Sequence, residues 1–117
     1  MGGKVLVFEP DLMFSSRIES IAANAGLEVK VTSSLDELER AVQESAAKAL
    51  IVNLDVFPNV SSLFLDSVRG RCRLLGYYSH VDSKLAAHAL AIGFEEVMPR
   101  RTFVDKLKGL LTDLALA

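Results

Sequence analysis

The chain has 117 residues, of which 50% are hydrophobic and 24% are charged, and its formal net charge is −2 at pH 7. This length fits one globular domain, and the composition excludes a disordered chain, a collagen and a disulfide-rich scaffold. The near balance of charges argues against a general nucleic-acid or membrane binder.

The chain holds one cysteine, Cys72, which excludes an internal disulfide and a cysteine zinc site and is typical of a reducing compartment. Arginines at 69, 71 and 73 flank it. We interpret them as a solvated loop, with an anion-binding patch or a thiol of lowered pKa as the alternatives. The N-terminal apolar run has no signal-peptide cleavage site, and no stretch could span a bilayer. We therefore expect a cytoplasmic protein that does not bind membranes.

The first elements follow from apolar patterns. Residues 5–8 form a continuous apolar run, which predicts a buried parallel strand. Residues 14–25 carry apolar side chains at helical spacing, and Gly26 suits the left-handed position that ends a helix. Residues 27–31 alternate between apolar and charged side chains, which predicts a second strand with one more exposed face.

The middle of the chain repeats this order. Ser34 and Glu37 have the spacing of a capping box, which predicts the start of a second helix. Residues 49–54 are apolar almost throughout and predict a third strand that is buried on both faces. After a loop, a short third helix is predicted over 63–68, ending near Gly70.

The last third continues the alternation. We predict a fourth strand over 74–78, a helix over 83–92 that ends at Gly93, and a weaker fifth strand over 95–98. A second capping-box pattern at 102–105 predicts the start of the last helix. Five successive βα units imply a parallel sheet with helices on both faces and right-handed crossovers. Such sheets place their sites beyond the carboxyl ends of the strands, here at loops 9–11, 53–59, 79–83 and 98–102.

Three stretches at these loops carry a family resemblance. Glu9 directly follows the first strand, Ser79 follows the fourth, and residues 93–100 combine a glycine, two acids and a terminal Arg100. In this order the whole chain resembles the receiver domain of bacterial two-component response regulators. The resemblance implies a flavodoxin-like, doubly wound (βα)5 fold. Its five-stranded parallel sheet has the order 2-1-3-4-5 in a three-layer α/β/α arrangement, and residues 1–117 form a single domain.

The residues depart from the family where its chemistry is done. Receivers hold Mg²⁺ with an acidic pair and neutralise the phosphoryl group with a lysine. Here the second acid falls on Pro10, which has no side-chain oxygen, and Asp11 is expected to cap the following helix. Arg100 occupies the lysine position, and Arg101 replaces the family's proline. We therefore expect no Mg²⁺, no other metal and no cofactor.

The phosphoacceptor position is ambiguous. Counting from the third strand places it at Asn53, whereas counting back from Pro58 places it at Leu54, and Asp55 fits neither count. Asn53 either mimics an unphosphorylated carboxylate or closes the end of the strand. Asp55 is either a relocated acceptor or a loop acid that caps the next turn. Ser79 is either a remnant of the family's switch hydroxyl or a turn residue.

The charged side chains at this edge also have two interpretations. Glu9 and Asp11 form either part of a metal site or a pair of carboxylates at a helix terminus. Arg100 and Arg101 bind either an anion or partner carboxylate, or they form internal salt bridges with the acids nearby, Glu9 and Asp55.

The helix over 83–92 has few charges and many alanines, although a surface helix normally has a polar face. Either alanine serves only as a helix former, or the small side chains let another chain approach closely. In receivers, the fourth helix, fifth strand and fifth helix form the usual output and dimer face. By resemblance, partner binding is assigned to Lys84, Ala87, His88, Ala91 and Val97.

These patterns favour an atypical receiver-like signalling domain that acts by phosphorylation-independent protein–protein contact, including contact with a second copy of itself. One alternative is a phosphoreceiver of shifted register that uses Asp55. The other is a flavodoxin-like binder of a small molecule or nucleotide, although the first loop has no glycine-rich phosphate cradle. We expect no enzyme, because the sequence has no Ser–His–Asp, Cys–His or zinc constellation.

Overall fold

The structure is a computed structural model that describes residues 3–44, 46–56, 68, 72–79 and 83–116. The predicted third helix lies outside these residues except for Val68, which is helical and buried. The described elements, in chain order, are β1 (Lys4–Phe8), α1 (Leu12–Asn24), β2 (Glu28–Thr32), α2 (Leu35–Glu44), β3 (Ala49–Asn53), β4 (Arg73–Tyr78), α3 (Ser83–Ala91), β5 (Glu96–Pro99) and α4 (Arg100–Leu116).

The five strands form one parallel sheet in the order β2-β1-β3-β4-β5, which confirms the predicted topology. Because successive side chains of a strand point to opposite faces, β1, β3, β4 and β5 contribute to two cores, whereas Val29 and Val31 of β2 pack against the first. The first core joins alternate residues such as Val7 and Ile51 to Phe14 of α1 and Phe103 of α4. The second core, on the other face, joins Leu6 and Leu50 to residues of α2 and α3.

The helix ends show where sequence patterns suffice and where they fail. Asp11 caps α1 as predicted, because its carboxylate accepts the N–H groups of Met13 and Phe14 at 2.9 and 3.4 Å. The capping box predicted at 102–105 is wrong. α4 begins at Arg100, directly after β5 ends at Pro99, so Thr102 lies inside the first helical turn.

The surroundings of Cys72 exclude one of the alternatives for it. Burial raises the pKa of the Cys72 thiol, so the lowered-pKa interpretation is wrong. The charge of Arg73 is paired with an acid, since its Nε donates to a Glu95 carboxylate oxygen at 2.8 Å. Arg69 and Arg71 lie outside the described residues. Within the described part of the chain, no helix combines the length and apolar character needed to cross a membrane.

Candidate functional site

The carboxyl edge of the sheet brings together three polar side chains from three strand ends. Glu9 follows β1, Asn53 ends β3, and Tyr77 lies opposite Asn53 in the β3–β4 register. Each is in phase with strand residues of the first core, such as Val7 and Ile51, so all three point to the same face of the sheet. We refer to Glu9, Asn53 and Tyr77 as the Glu9 cluster.

Glu9 is 1% exposed, and its carboxylate accepts hydrogen bonds from three residues. The Asn53 Nδ2 group donates to its two oxygens at 3.0 and 3.1 Å. The Tyr77 hydroxyl donates to Oε1 at 2.5 Å, and the Asp11 backbone N–H donates to Oε2 at 3.1 Å. A hydroxyl that donates to a carboxylate makes a short, charge-assisted bond, and the Tyr77 distance has that length. The charge of Glu9 is therefore stabilised by neutral groups of the chain itself.

Asn53 has one orientation that satisfies both ends of its amide. Its Nδ2 group donates to Glu9, and its Oδ1 accepts the Asp55 N–H at 2.9 Å. The Asp55 carboxylate in turn accepts the Ser79 backbone N–H at 2.7 Å. Asp55 therefore connects the loop after β3 to the end of β4. The turn that it was expected to cap extends into residues outside the described part of the chain.

Tyr77 is fully buried and connects the cluster to two helices. Its ring stacks on Phe103 of α4 with a centroid distance of 4.7 Å and meets the edge of Phe14 of α1 at 5.2 Å. Burial raises the pKa of Tyr77, and the hydrogen bond to the Glu9 carboxylate raises it further, because both disfavour the phenolate. The hydroxyl therefore remains a hydrogen-bond donor throughout the neutral range.

Arg100 lies beside the Glu9 cluster, and its positive charge partly opposes the rise in the pKa of Tyr77. Its guanidinium lies over the Phe14 ring at 3.9 Å, and Nη2 lies 3.8 Å from an Asp11 carboxylate oxygen. The internal pair was predicted with Glu9 or Asp55, but the partner is Asp11. Both arginines lie in the first turn of α4, where the helix dipole disfavours a positive charge, so the carboxylate of Asp11 offsets part of this cost. Arg101 is exposed.

Leu54 is separated from this cluster by the alternation of the strand. It is 2% exposed and belongs to the second core, on the opposite face from Asn53. Gly76 makes room for it, because a Cβ atom there would lie 2.8 Å from a Leu54 methyl group and 3.2 Å from the Phe94 ring. The register counted from the strand therefore places Asn53 beside Glu9, and the register counted from Pro58 leads to an apolar core residue.

Pro10, Asp11 and Ser79 line the outer side of this edge, and all three are exposed. The sequence interpretation missed Tyr77, which it treated only as part of an apolar strand. Two signals were present. Tyr77 is in phase with Leu75 of the first core, and a buried tyrosine hydroxyl normally finds a hydrogen-bond partner.

The residues assigned to partner binding lie on α3 and β5. Lys84, Ala87, His88 and Ala91 of α3 are exposed, and we call these four the outer α3 face. Leu90 on the same helix is 51% exposed, which is unusual for a leucine of an amphipathic helix. Val97 of β5 is half-buried and packs against the second core.

Several solved structures share this architecture. A response regulator from Thermotoga maritima superposes with a TM-score of 0.82 at 12% sequence identity, covering 100% of both chains. An orphan response regulator of H. pylori gives 0.77 at 17% identity, covering 96% of this chain and 92% of that one. An atypical orphan response regulator, described as having a phosphorylation-independent regulatory mechanism, gives 0.74 at 18% identity, covering 92% and 94%.

This chain has the fold of a response-regulator receiver domain. The flavodoxin-like architecture inferred from the sequence is confirmed. No protein-family model and no curated protein matches the sequence.

The receiver fold implies a Mg²⁺ ion at the carboxyl edge, and the residues of this edge do not fit one. Mg²⁺ needs oxygen lone pairs in octahedral array. Both oxygens of Glu9 already accept hydrogen bonds, Pro10 has no side-chain oxygen, and Asn53 turns its NH2 group towards the carboxylate. Within the described residues, no group of three or more His, Cys, Asp or Glu side chains is arranged to hold a metal ion.

Proposed function

We propose that this chain is a signalling domain of receiver fold that acts through protein–protein contacts and does not depend on phosphoryl transfer. The observation that carries the proposal is the state of Glu9. Phosphoryl transfer to an aspartate needs a cation beside the acceptor and a carboxylate free to attack. Here Glu9 is buried and bonded to Asn53 and Tyr77, and the residue four before Pro58 is the core residue Leu54.

A solved structure of the same fold supports this proposal. The atypical orphan response regulator at 18% identity is described as phosphorylation-independent. By analogy, a receiver-fold chain can serve signalling without the phosphoryl switch, and the altered edge of this chain agrees with that mode.

The test is a titration of the chain with beryllofluoride and Mg²⁺, followed by backbone amide NMR. We expect no saturable shifts at Glu9, Asn53, Asp55 and Ser79. Saturable shifts at those residues would overturn the proposal. The alternative of a shifted register is tested by incubation with a small phosphoryl donor, since it requires a hydroxylamine-labile acyl phosphate that Asp55→Asn abolishes.

We assign partner binding to the outer α3 face, and we propose a second copy of this chain as one partner. Exposed small residues at 87 and 91 allow close approach, and the neighbouring Leu90 offers apolar area. A receiver domain of the same fold at 16% identity forms a dimer in its beryllofluoride-activated state.

Sedimentation at increasing protein concentration tests this assignment. Ala87→Glu and Ala91→Glu are expected to weaken self-association at least tenfold, because each buries a charge in the contact. Ala23→Glu, an exposed alanine of α1, is the matched control and is expected to leave association unchanged. Equal effects of all three variants, or none, would remove the outer α3 face from the proposal.

A further inference from the structure

The hydrogen bonds of Glu9 share an unusual property for a buried carboxylate. In the described part of the chain they all come from neutral donors, namely the Asn53 amide, the Tyr77 hydroxyl and the Asp11 backbone N–H. Buried charges are normally paired with an opposite charge or with a metal ion. The direct partners of the Glu9 carboxylate are therefore neutral groups, where a buried charge usually has a cation.

The arrangement depends on Asn53 being an amide and not a carboxylate. Its amide presents an NH2 group to both oxygens of Glu9, and this group carries partial positive charge. An aspartate of nearly the same shape would present a second carboxylate at that distance of about 3 Å. Two such carboxylates cannot both remain charged unless a cation lies between them or a proton is taken up.

Tyr77 supplies the second side-chain donor to Glu9 and also packs against α1 and α4. Its hydroxyl takes a lone pair of Oε1 that a metal ion would need, and its ring is fixed between Phe103 and Phe14. The stack therefore fixes the phenolic oxygen beside Oε1 of Glu9. The cluster therefore has a single satisfied arrangement, and α1 and α4 are packed against it.

We propose that the Asn53 amide and the Tyr77 hydroxyl replace a divalent cation on Glu9, and that Asn53 is the residue that excludes the cation. This proposal rests on the proposed function, in which no phosphoryl transfer occurs at this edge. It identifies Asn53 as the reason that the edge holds no divalent cation. The carboxyl edge is held in one metal-independent conformation, and Asn53→Asp converts it to an edge that requires a divalent cation.

The test compares thermal unfolding of the wild type, Asn53→Asp and the matched control Asn24→Asp, whose exposed asparagine ends α1. Each is measured in 10 mM MgCl2 and in NaCl of equal ionic strength. At a dissociation constant of about 1 mM, Mg²⁺ is expected to raise the midpoint of Asn53→Asp by about 5 °C. The wild type and Asn24→Asp are expected to shift by less than about 1 °C.

A second measurement covers a variant that fails to fold. If Asn53→Asp is unfolded in NaCl, circular dichroism is expected to show that Mg²⁺ restores the fold. An Asn53→Asp chain that gains no stability from Mg²⁺, folded or unfolded, contradicts the proposal. Saturable amide shifts at Glu9, Asp11 and Asn53 of the wild type with Mg²⁺ alone also contradict it. The proposed function has a different point of failure, because it fails on beryllofluoride binding or acyl-phosphate formation in the wild type.

Discussion

The Glu9 cluster and the outer α3 face differ in how far their side chains are already in contact with the rest of the chain. In the cluster, each polar group that faces Glu9 is bonded to it, and among the described residues no buried side-chain nitrogen or oxygen lacks a partner. The outer α3 face instead exposes small side chains and part of Leu90. A reactive site needs groups with free lone pairs, whereas a docking face needs uncovered area. The difference agrees with our proposals that recognition lies on the outer α3 face and that the sheet edge maintains structure.

Leu54→Asp is expected to have the largest effect, because it places an acid at the family's acceptor count but inside the second core. A buried carboxylate without a partner should lower the free energy of unfolding by about 4 kcal/mol. Urea denaturation measures this loss. Ala87→Glu introduces the same charge on the outer α3 face and is expected to change stability by less than about 0.5 kcal/mol. A stable Leu54→Asp variant that accepts a phosphoryl group would contradict both the placement of residue 54 in the second core and the structural role of the sheet edge.

Glu9→Ala is expected to rank second. It leaves Asn53 Nδ2, the Tyr77 hydroxyl and a backbone N–H without their acceptor, which should cost about 3 kcal/mol of unfolding free energy. Glu19→Ala, on the exposed side of α1, is the control and should be nearly neutral. A loss in Glu9→Ala no greater than that in Glu19→Ala would show that the cluster does not hold the sheet edge together.

Tyr77→Phe keeps the aromatic stack and removes only the hydroxyl. The lost hydrogen bond to a charged acceptor should lower the free energy of unfolding by about 2 kcal/mol. Chemical denaturation at neutral pH gives this value. Tyr78→Phe, one residue further along β4 and half-buried, is the matched control. If the two variants lose equal stability, the hydroxyl of Tyr77 has no special role in the cluster.

The same tyrosine predicts a dependence on alkaline pH. The folded-state pKa of Tyr77 is raised by burial and by Glu9, so above the unfolded value of about 10 the unfolded chain releases a proton that the folded chain retains. Stability from this group is therefore complete below pH 10 and falls as the pH rises further. The fall should persist in Tyr78→Phe and become shallower in Tyr77→Phe. An unchanged slope in Tyr77→Phe would contradict the assignment.

The strands and the core could be predicted because they depend on periodicity, whereas the order of the strands in the sheet was implied by the resemblance to receiver domains. Alternating apolar runs and helical stripes predicted all five strands along the chain, and Asp11 was recognised as the cap of α1. These features are local, because the residues that favour a strand or a helix cap lie next to it in the sequence.

The partners within the site could not be predicted in the same way. Counting from the strand and counting from Pro58 gave different residues for one position, and only the face on which Leu54 packs decides between them. The Glu9–Tyr77 bond joins residues 68 positions apart, and its existence depends on which strands are neighbours. For Arg100 an internal salt bridge was one of two alternatives and was expected with Glu9 or Asp55, whereas the acid within reach of its guanidinium is Asp11.

Arg100→Gln is expected to have the smallest effect, and it defines the boundary of the Glu9 cluster. The Arg100 and Asp11 side chains are 35% and 52% exposed and lie 3.8 Å apart, so water and salt screen their attraction. Together with the contact over Phe14, the loss should stay below about 1 kcal/mol and shrink further in 1 M NaCl. Arg101→Gln, the exposed neighbour in the same unfavourable first turn, should be neutral or slightly stabilising. A salt-insensitive loss in Arg100→Gln as large as that in Glu9→Ala would mean that the guanidinium supplies the countercharge of Glu9 after all. Neutral donors would then not be sufficient to stabilise the Glu9 carboxylate. Arg100 would have to be counted as a member of the Glu9 cluster when the cluster is compared with the outer α3 face.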